Sequence, residues 1–455
     1  MPEKIIENEA AIQYFNEEAE KLLGLLTELK ETESRRRPLR SIEEEVSSEF
    51  DESEIQYSFK TQVDHEGNEI SRHFYIAPDK WVGIDILNYR EVKKLSSNLY
   101  KRREIIEIIS AKSLIKIIFG WMKARYIKAT DEPATFMEYL NRSIKDMIGD
   151  IKISIPITNL AIDMDFEIGK VKFEFMRKEL FDRIENKLKE KVESKEMPES
   201  EFRSFISKLR KDHQGKVVGT VNLKAEAEKA VELAEWEVDR AVMVLKYLSP
   251  YAFSPKNAAL FGRKGMTWLP LRELFVFSND LPVIHEGIVG NQSYFFKIDE
   301  NLLAHMKRAG LDRLSELLLK VDLSEYEELL FTSLYTFTKA ISQIGYHEKI
   351  VFILSALEIM FLKDSGEPIQ ISVGQRLGFF IDHQPDKRRE AVSLINDAYK
   401  IRSNFIHHGQ KKEDYEIMCK LQYSCWKALN IMINNHDKFK SKQEFMLYLE
   451  RLIYS

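Results

Sequence analysis

The sequence predicts an α+β fold, mostly α: mixed α/β amino-terminal and middle regions followed by a carboxy-terminal all-α helical bundle. Three observations carry that expectation. Long segments with apolar residues at helical spacing dominate the chain. Short runs of alternating polar and apolar residues cluster before about residue 300. From Leu302 onward the pattern is helical almost to the end. At 455 residues the chain is too long for one ordinary core, and the pattern changes divide it into regions 1–145, 146–320 and 321–455.

In the first region, apolar residues recur at helical spacing from Glu3 to about Leu29, and a mixed-charge connection, "ETESRRRPLRSIEEEVSSEFDESE", follows. Its Arg35, Arg36, Arg37 and Arg40 are flanked by acidic residues on both sides, which favours a solvated linker over a phosphate contact. "IQYSFKTQVD" and "EISRHFYIAP" alternate around "HEGN", a hairpin signal, and "WVGIDIL" supplies a third strand. His65 and His73 lie across that hairpin with Asp64 and Glu66 nearby, so the residues allow either a metal site or, more commonly for such a pattern, a solvated hairpin. The long run from Arg90 to Ile127 reads as helices.

The middle region opens on "IKISIPITNLAIDMDFEIGKVKFEFM", which has strand composition and a turn at "IGK". A highly charged helical run over 177–211 is interrupted near Pro198, then "KVVGTVNLK" reads as a strand and "AEAEKAVELAEWEVDRAVMVLKYL" as a helix. Alternation returns in "LPLRELFVF", "LPVIHEGIV" and "SYFFKID". The last region divides into helices at about 325–344, 347–363, 373–382, 387–408 and 415–434, with a short one after Ser441. Gly345, the "SGEP" segment, the "HQP" segment and Gly409 supply the breaks.

Composition excludes several function classes. A hydrophobic share of 44% with 31% charged residues and only 12 prolines describes a folded chain rather than a fibrous or disordered one. The 68 basic residues are outnumbered by 73 acidic ones, giving a formal net charge of -5, so any nucleic-acid binding must come from a local patch. Cys419 and Cys425 provide neither a disulfide framework nor a four-ligand zinc site, which fits a reducing cytoplasm. The acidic amino terminus lacks the basic start of a signal peptide, and the apolar run "IVFILSALEIMFL" is too short to span a bilayer and carries Glu358, so no membrane partner is expected. No Walker-type glycine loop, dinucleotide fingerprint or internal repeat is present, and no cofactor or metal is expected.

The chemistry concentrates in "YKIRSNFIHHGQ", from Tyr399 to Gln410. Ala391, Leu394, Ile395, Ala398, Ile401, Phe405 and Ile406 make an apolar stripe with Arg402, Ser403 and Asn404 beside it. At ~100° per residue, Arg402 and His407 differ by roughly 140° around the helix. Only the long arm of Arg402 brings both to one ligand within a chain, whereas a symmetric dimer would gather two arginines and two histidines in one cleft. From the residues alone a plainer reading stands beside this one. Arg402 would pair with Glu358, and His407 and His408 would sit at a helix carboxy terminus whose dipole favours positive charge, with Gly409 ending the helix. Tyr399 would stack on a base or pack between helices, and Arg376 would hold a phosphate or partner Glu358.

The run from "LYTFTKAISQIGYHEKIVFILSALEIMFLKD" through "VGQRLGFFI" to "INDAYKIRSNFIHHG" resembles the HEPN superfamily, in particular the ApeA-like HEPN domain of prokaryotic anti-phage proteins, over about the last 130 residues. The family signature of an arginine, a polar residue, a short spacer and a histidine falls on Arg402, Ser403 and His407, with Glu358 in "SALEIMF" at the place of the branch's acidic residue. The resemblance implies a metal-independent endoribonuclease, with Arg402 and His407 catalytic and Ser403, His408, Glu358, Arg376 and Tyr399 in supporting or substrate-binding roles. It further implies RNA, with tRNA as one possible target, as substrate, a homodimer formed through this domain, a role in abortive infection and a phage-derived trigger. The chemistry suits those residue types. A 2′-hydroxyl needs a base, the leaving 5′-oxygen an acid and the phosphorane a cation. An imidazole exchanges protons near neutral pH, and a guanidinium grips two phosphate oxygens while staying charged. The expected products carry 2′,3′-cyclic phosphate and 5′-hydroxyl ends. The alternative is a catalytically inactive HEPN fold serving as a dimerisation or RNA- or nucleotide-binding module in a defence complex. A nucleotidyltransferase would need a glycine–serine loop with paired aspartates, which the sequence lacks.

Overall fold

The computed structural model describes residues 5–28, 41–43, 59–77, 80–130, 133–265, 271–278, 281–288, 295–364 and 366–454, with 41–43, 271–278 and 281–288 described by backbone alone. Among the described residues helices dominate, strands are confined to residues before 300, and the last third consists of helices and their connections, so the fold is α+β and mostly α. The chain forms two compact units: 1–153 with 222–233, and 154–221 with 234–455. Arg35, Arg36, Arg37 and Arg40 lie outside the described residues.

The first unit opens with the Glu9–Leu23 helix, capped by the Asn8 side chain, which accepts from the Ala11 amide at 2.9 Å. Its sheet runs in the order Thr27–Glu28, Lys80–Ile84, Glu69–Ala77, Phe59–Val63 and Ser41–Glu43, antiparallel throughout. The "HEGN" hairpin forms as expected, with the Asp64 carboxylate accepting from the Glu66 and Asn68 amides to hold the turn. The Tyr89–Tyr100, Ala111–Tyr126 and Phe136–Met147 helices bury Val92, Leu95 and Leu99, then Leu114, Ile118 and Trp121, then Leu140 and Ile144. Spacings of three and four put each set on one helix face, and together with Phe74 and Ile84 they make one apolar core.

A second sheet runs in the order Gly262–Arg263, Gly149–Thr158, Val217–Ala225, Val171–Phe175 and Phe166–Ile168. Phe296–Ile298 joins Leu160–Ile162 in a short parallel pair that alternation alone does not reveal. Pro198 separates the Lys178–Glu193 and Glu199–His213 helices, and Arg210 on the second reaches back to Asp182 at 2.6 Å and Glu185 at 2.7 Å on the first.

The carboxy-terminal bundle consists of the helices Glu325–Ile341, Tyr346–Phe361, Ile369–Ile381, Pro385–His408, Tyr415–Asn434 and Lys442–Tyr454. Ser324 and Glu327 form a reciprocal capping box that starts the first, satisfying two amides that a helix start leaves open. The core is drawn from all six helices and includes Leu334, Phe337, Ile353, Leu357, Leu377, Ile395, Leu429 and Phe445.

Candidate active site

The Pro385–His408 helix carries the candidate residues. Pro385 occupies its first turn, where a missing amide costs nothing, and Gly409 ends it in the left-handed conformation at φ 63°. The Gly409 amide donates to Phe405 and the Gln410 amide to Asn404, both at 3.1 Å, satisfying carbonyls of the last turn. Ala391, Ile395, Ala398 and Ile401 are buried as the stripe predicts, while Ile406 is half exposed.

Glu358 enters from the Tyr346–Phe361 helix. Its Oε1 accepts two hydrogen bonds, from Tyr399 Oη at 2.8 Å and from Arg402 Nη1 at 2.9 Å. The pair is partly shielded, with the Arg402 side chain 28% and the Glu358 side chain 21% exposed. Arg402 also lies over the Tyr399 ring at 5.8 Å, and its Nε is buried with no hydrogen-bond partner. One of five guanidinium donors is thus committed to Glu358, and the face holding Nε has an unmet donor. Tyr399 is buried, and burial first, then the adjoining Glu358 carboxylate, push its phenol well above the usual tyrosine range. It therefore packs and donates to Glu358 instead of presenting a free ring to a base.

Arg376 does not partner Glu358, which corrects one of the two options open for it; its partner is Glu367. It is buried in a two-pronged pair with Glu367, Nη1 to Oε2 and Nη2 to Oε1 each at 2.6 Å, and Nη1 also donates to the Phe361 carbonyl at 2.7 Å. The Arg376 guanidinium holds the Glu367 carboxyl below its usual range, so the pair is ionic. Its work is to close the segment between two bundle helices.

Ser403, His407 and His408 are exposed, and their side chains make no hydrogen bond or ion pair among the described residues. The two imidazole rings lie 6.5 Å apart at 64°, as adjacent helical positions require. His347, which sequence reasoning passed over, is buried with its ring stacked on Phe405 at 4.4 Å and its Nε2 without a partner. Its place in "GYHEK" at a helix start gave no signal, because the stacking partner lies 58 residues away in the chain.

In the first unit His65 is exposed and His73 is buried, so the hairpin histidines do not face one site. Among the described residues no three histidine, cysteine, aspartate or glutamate side chains converge as metal ligands would, and no helix is long and apolar enough to cross a membrane. Comparison of the chain with models of known protein families, with curated proteins and with solved structures finds no match.

Proposed function

We propose that this protein is a metal-independent endoribonuclease whose site is built on Arg402 and His407. The observation that carries the reading is the Glu358 oxygen shared by Tyr399 and Arg402, which holds a guanidinium with unused donors on the same terminal turns as an exposed imidazole. A structural arginine would commit more of its fork. In the reaction, a base removes the proton of an RNA 2′-hydroxyl, the 2′-oxygen bonds to phosphorus, and the bond to the 5′-oxygen breaks as an acid protonates it. His407 supplies proton transfer and Arg402 the cation that stabilises the phosphorane. Each chain offers one imidazole at the signature position. Two copies related by a two-fold axis would bring a base and an acid to one phosphodiester.

The same ion pair favours a second reading, in which Glu358 and Arg402 only stabilise the helix pair and the bundle binds a partner without cutting. Incubation of total RNA and tRNA with purified protein in EDTA decides between them. Cleavage by the wild type that leaves cyclic-phosphate ends and is lost in Arg402→Ala and His407→Ala supports the nuclease. Equal cutting by all three proteins, or none by any, removes it.

A further inference from the structure

The Ile369–Ile381 and Pro385–His408 helices meet at two glycines, four residues apart and so on one helix face. A Cβ at Gly378 would stand 3.0 Å from the Arg388 carbonyl oxygen, and one at Gly374 would stand 3.3 Å from Val392 Cα. The two backbones therefore touch with no side chain between them. Beside that contact a cleft of about 400 Å³ opens, lined by Gln375 and Phe379 from the first helix and by Pro385, Arg388, Arg389 and Val392 from the second. This is the size range of small-ligand sites. Arg388 precedes Arg402 by roughly four turns of the same helix, so the cleft is separate from the candidate active site.

Arg388 is half-buried and held in place without a counter-ion. Its guanidinium lies over the Phe379 ring at 4.1 Å, and its Nε donates to the Asp382 carbonyl at 3.1 Å. The Asp382 carboxylate is engaged elsewhere, accepting from the Gln384 amide at 3.1 Å and pairing with Lys427 at 3.5 Å. Neither Nη group of Arg388 makes a hydrogen bond or ion pair among the described residues. Arg376 in the same bundle shows the contrast, since it commits both of its Nη groups to Glu367. Arg389, the other cation of the cleft, meets only Asp386, at 3.5 Å, in an exposed pair. A guanidinium stacked on a ring and pinned through Nε offers its two Nη groups as parallel donors, a spacing that matches the two oxygens of a carboxylate. Phe379, Val392 and Pro385 give the rest of a ligand an apolar surface, the Gln375 carboxamide can donate or accept, and no acidic side chain lines the cleft to repel an anion.

We infer that this cleft binds a small organic carboxylate with an apolar body, its two oxygens gripped by Arg388 and its body packed on Val392, Pro385 and the edge of Phe379. Nothing in the cleft depends on RNA cleavage by Arg402 and His407.

Ligand-observed NMR titration of the full chain with benzoate, phenylacetate, indole-3-acetate and isovalerate in turn tests the site, with benzamide and inorganic phosphate as comparison probes. At least one carboxylate binds the wild type, and benzamide, which keeps the ring and lacks the charge, binds more weakly than that carboxylate. Arg388→Gln weakens the binding at least about tenfold, as loss of a two-pronged charge-assisted contact requires. Gln375→Glu, altered at an exposed position, sets a carboxylate against the ligand and weakens binding at least about threefold. It decides alone if Arg388→Gln does not fold. Four outcomes overturn the proposal: no carboxylate binds, a folded variant binds as the wild type does, benzamide binds as tightly as the best carboxylate, or inorganic phosphate does.

Discussion

Tyr399 donates its phenol hydrogen to the Glu358 oxygen that also receives Arg402. The three side chains thus form one unit in which a tyrosine raised out of its usual titration range supplies a permanent donor and the carboxylate is left to orient the guanidinium. Removing the phenol hydroxyl should loosen the orientation without removing the cation. Tyr399→Phe is expected to lose about 1 kcal/mol of stability, the usual worth of one such hydrogen bond. Under the nuclease reading it reduces RNA cleavage less than Arg402→Ala, which costs roughly 10²–10³-fold. Urea melts and initial cleavage rates on the two variants measure both quantities, and a Tyr399→Phe defect as deep as that of Arg402→Ala would contradict the orienting role.

Arg376 offers a control for the same bundle. Its pairing with Glu367 and the Phe361 carbonyl is buried and away from His407's exposed turn, so its contribution is to folding. Arg376→Met should cost roughly 2 kcal/mol, because Glu367 and the carbonyl lose charge-assisted partners. Cleavage per folded molecule should stay near that of the wild type. A variant that melts normally but no longer cuts RNA would return Arg376 to the site.

How far the sequence carried can be judged at these residues. The helix ending at Gly409 was legible because glycine after two histidines is a stop signal and the apolar stripe has a 3.6 period. The hairpin at "HEGN" was legible from alternation and turn chemistry. The choice of Arg402 over Arg376 as partner of Glu358 was not, because either side chain could reach it until the tertiary packing placed Glu367 beside Arg376. His347 on Phe405 and the parallel pairing of Phe296–Ile298 likewise depend on contacts between segments distant in the chain.

Two lysines in the second unit, the buried Lys349 and the partly buried Lys246, set its alkaline behaviour. Burial pushes Lys349 down to about 8, although its Nζ donates to the Pro255 and Asn257 carbonyls, and it pushes Lys246 down to about 8 against the opposing pull of Asp239. An unfolded lysine keeps its ordinary value of 10.5. Between about pH 8 and 10 the unfolded chain therefore holds more protons at these positions than the folded one, and stability rises with pH. Above about pH 10 the trend reverses, because Tyr247, Tyr326 and Tyr399 are all raised in the folded state and ionise first in the unfolded one. Chemical denaturation from pH 7 to 11 should show this maximum. Lys349→Met should flatten the rise from pH 8 to 10, and an unchanged slope in that variant would rule out Lys349 as its source.

His73 produces the opposite limb in the first unit. It is buried in the Glu69–Ala77 strand, opposite Lys60 on one neighbouring strand and Gly83 on the other. Burial pushes its imidazole down to about 4, Asp85 pulls against that shift, and Lys60 adds to it. The unfolded histidine titrates at 6.5, so between pH 6.5 and 4 the unfolded chain binds the extra proton and the folded chain resists it. Stability of this unit should consequently fall as pH drops through that window, by on the order of 2–3 kcal/mol from His73 alone. Hydrogen exchange of the Glu69–Ala77 strand amides, followed from pH 7 to 4 and corrected for the intrinsic exchange rate, reports the loss locally. His73→Gln has no proton to gain there, so its protection should change less over the same window. Parallel pH profiles for the two proteins would show that other groups, such as carboxylates, govern the acid limb.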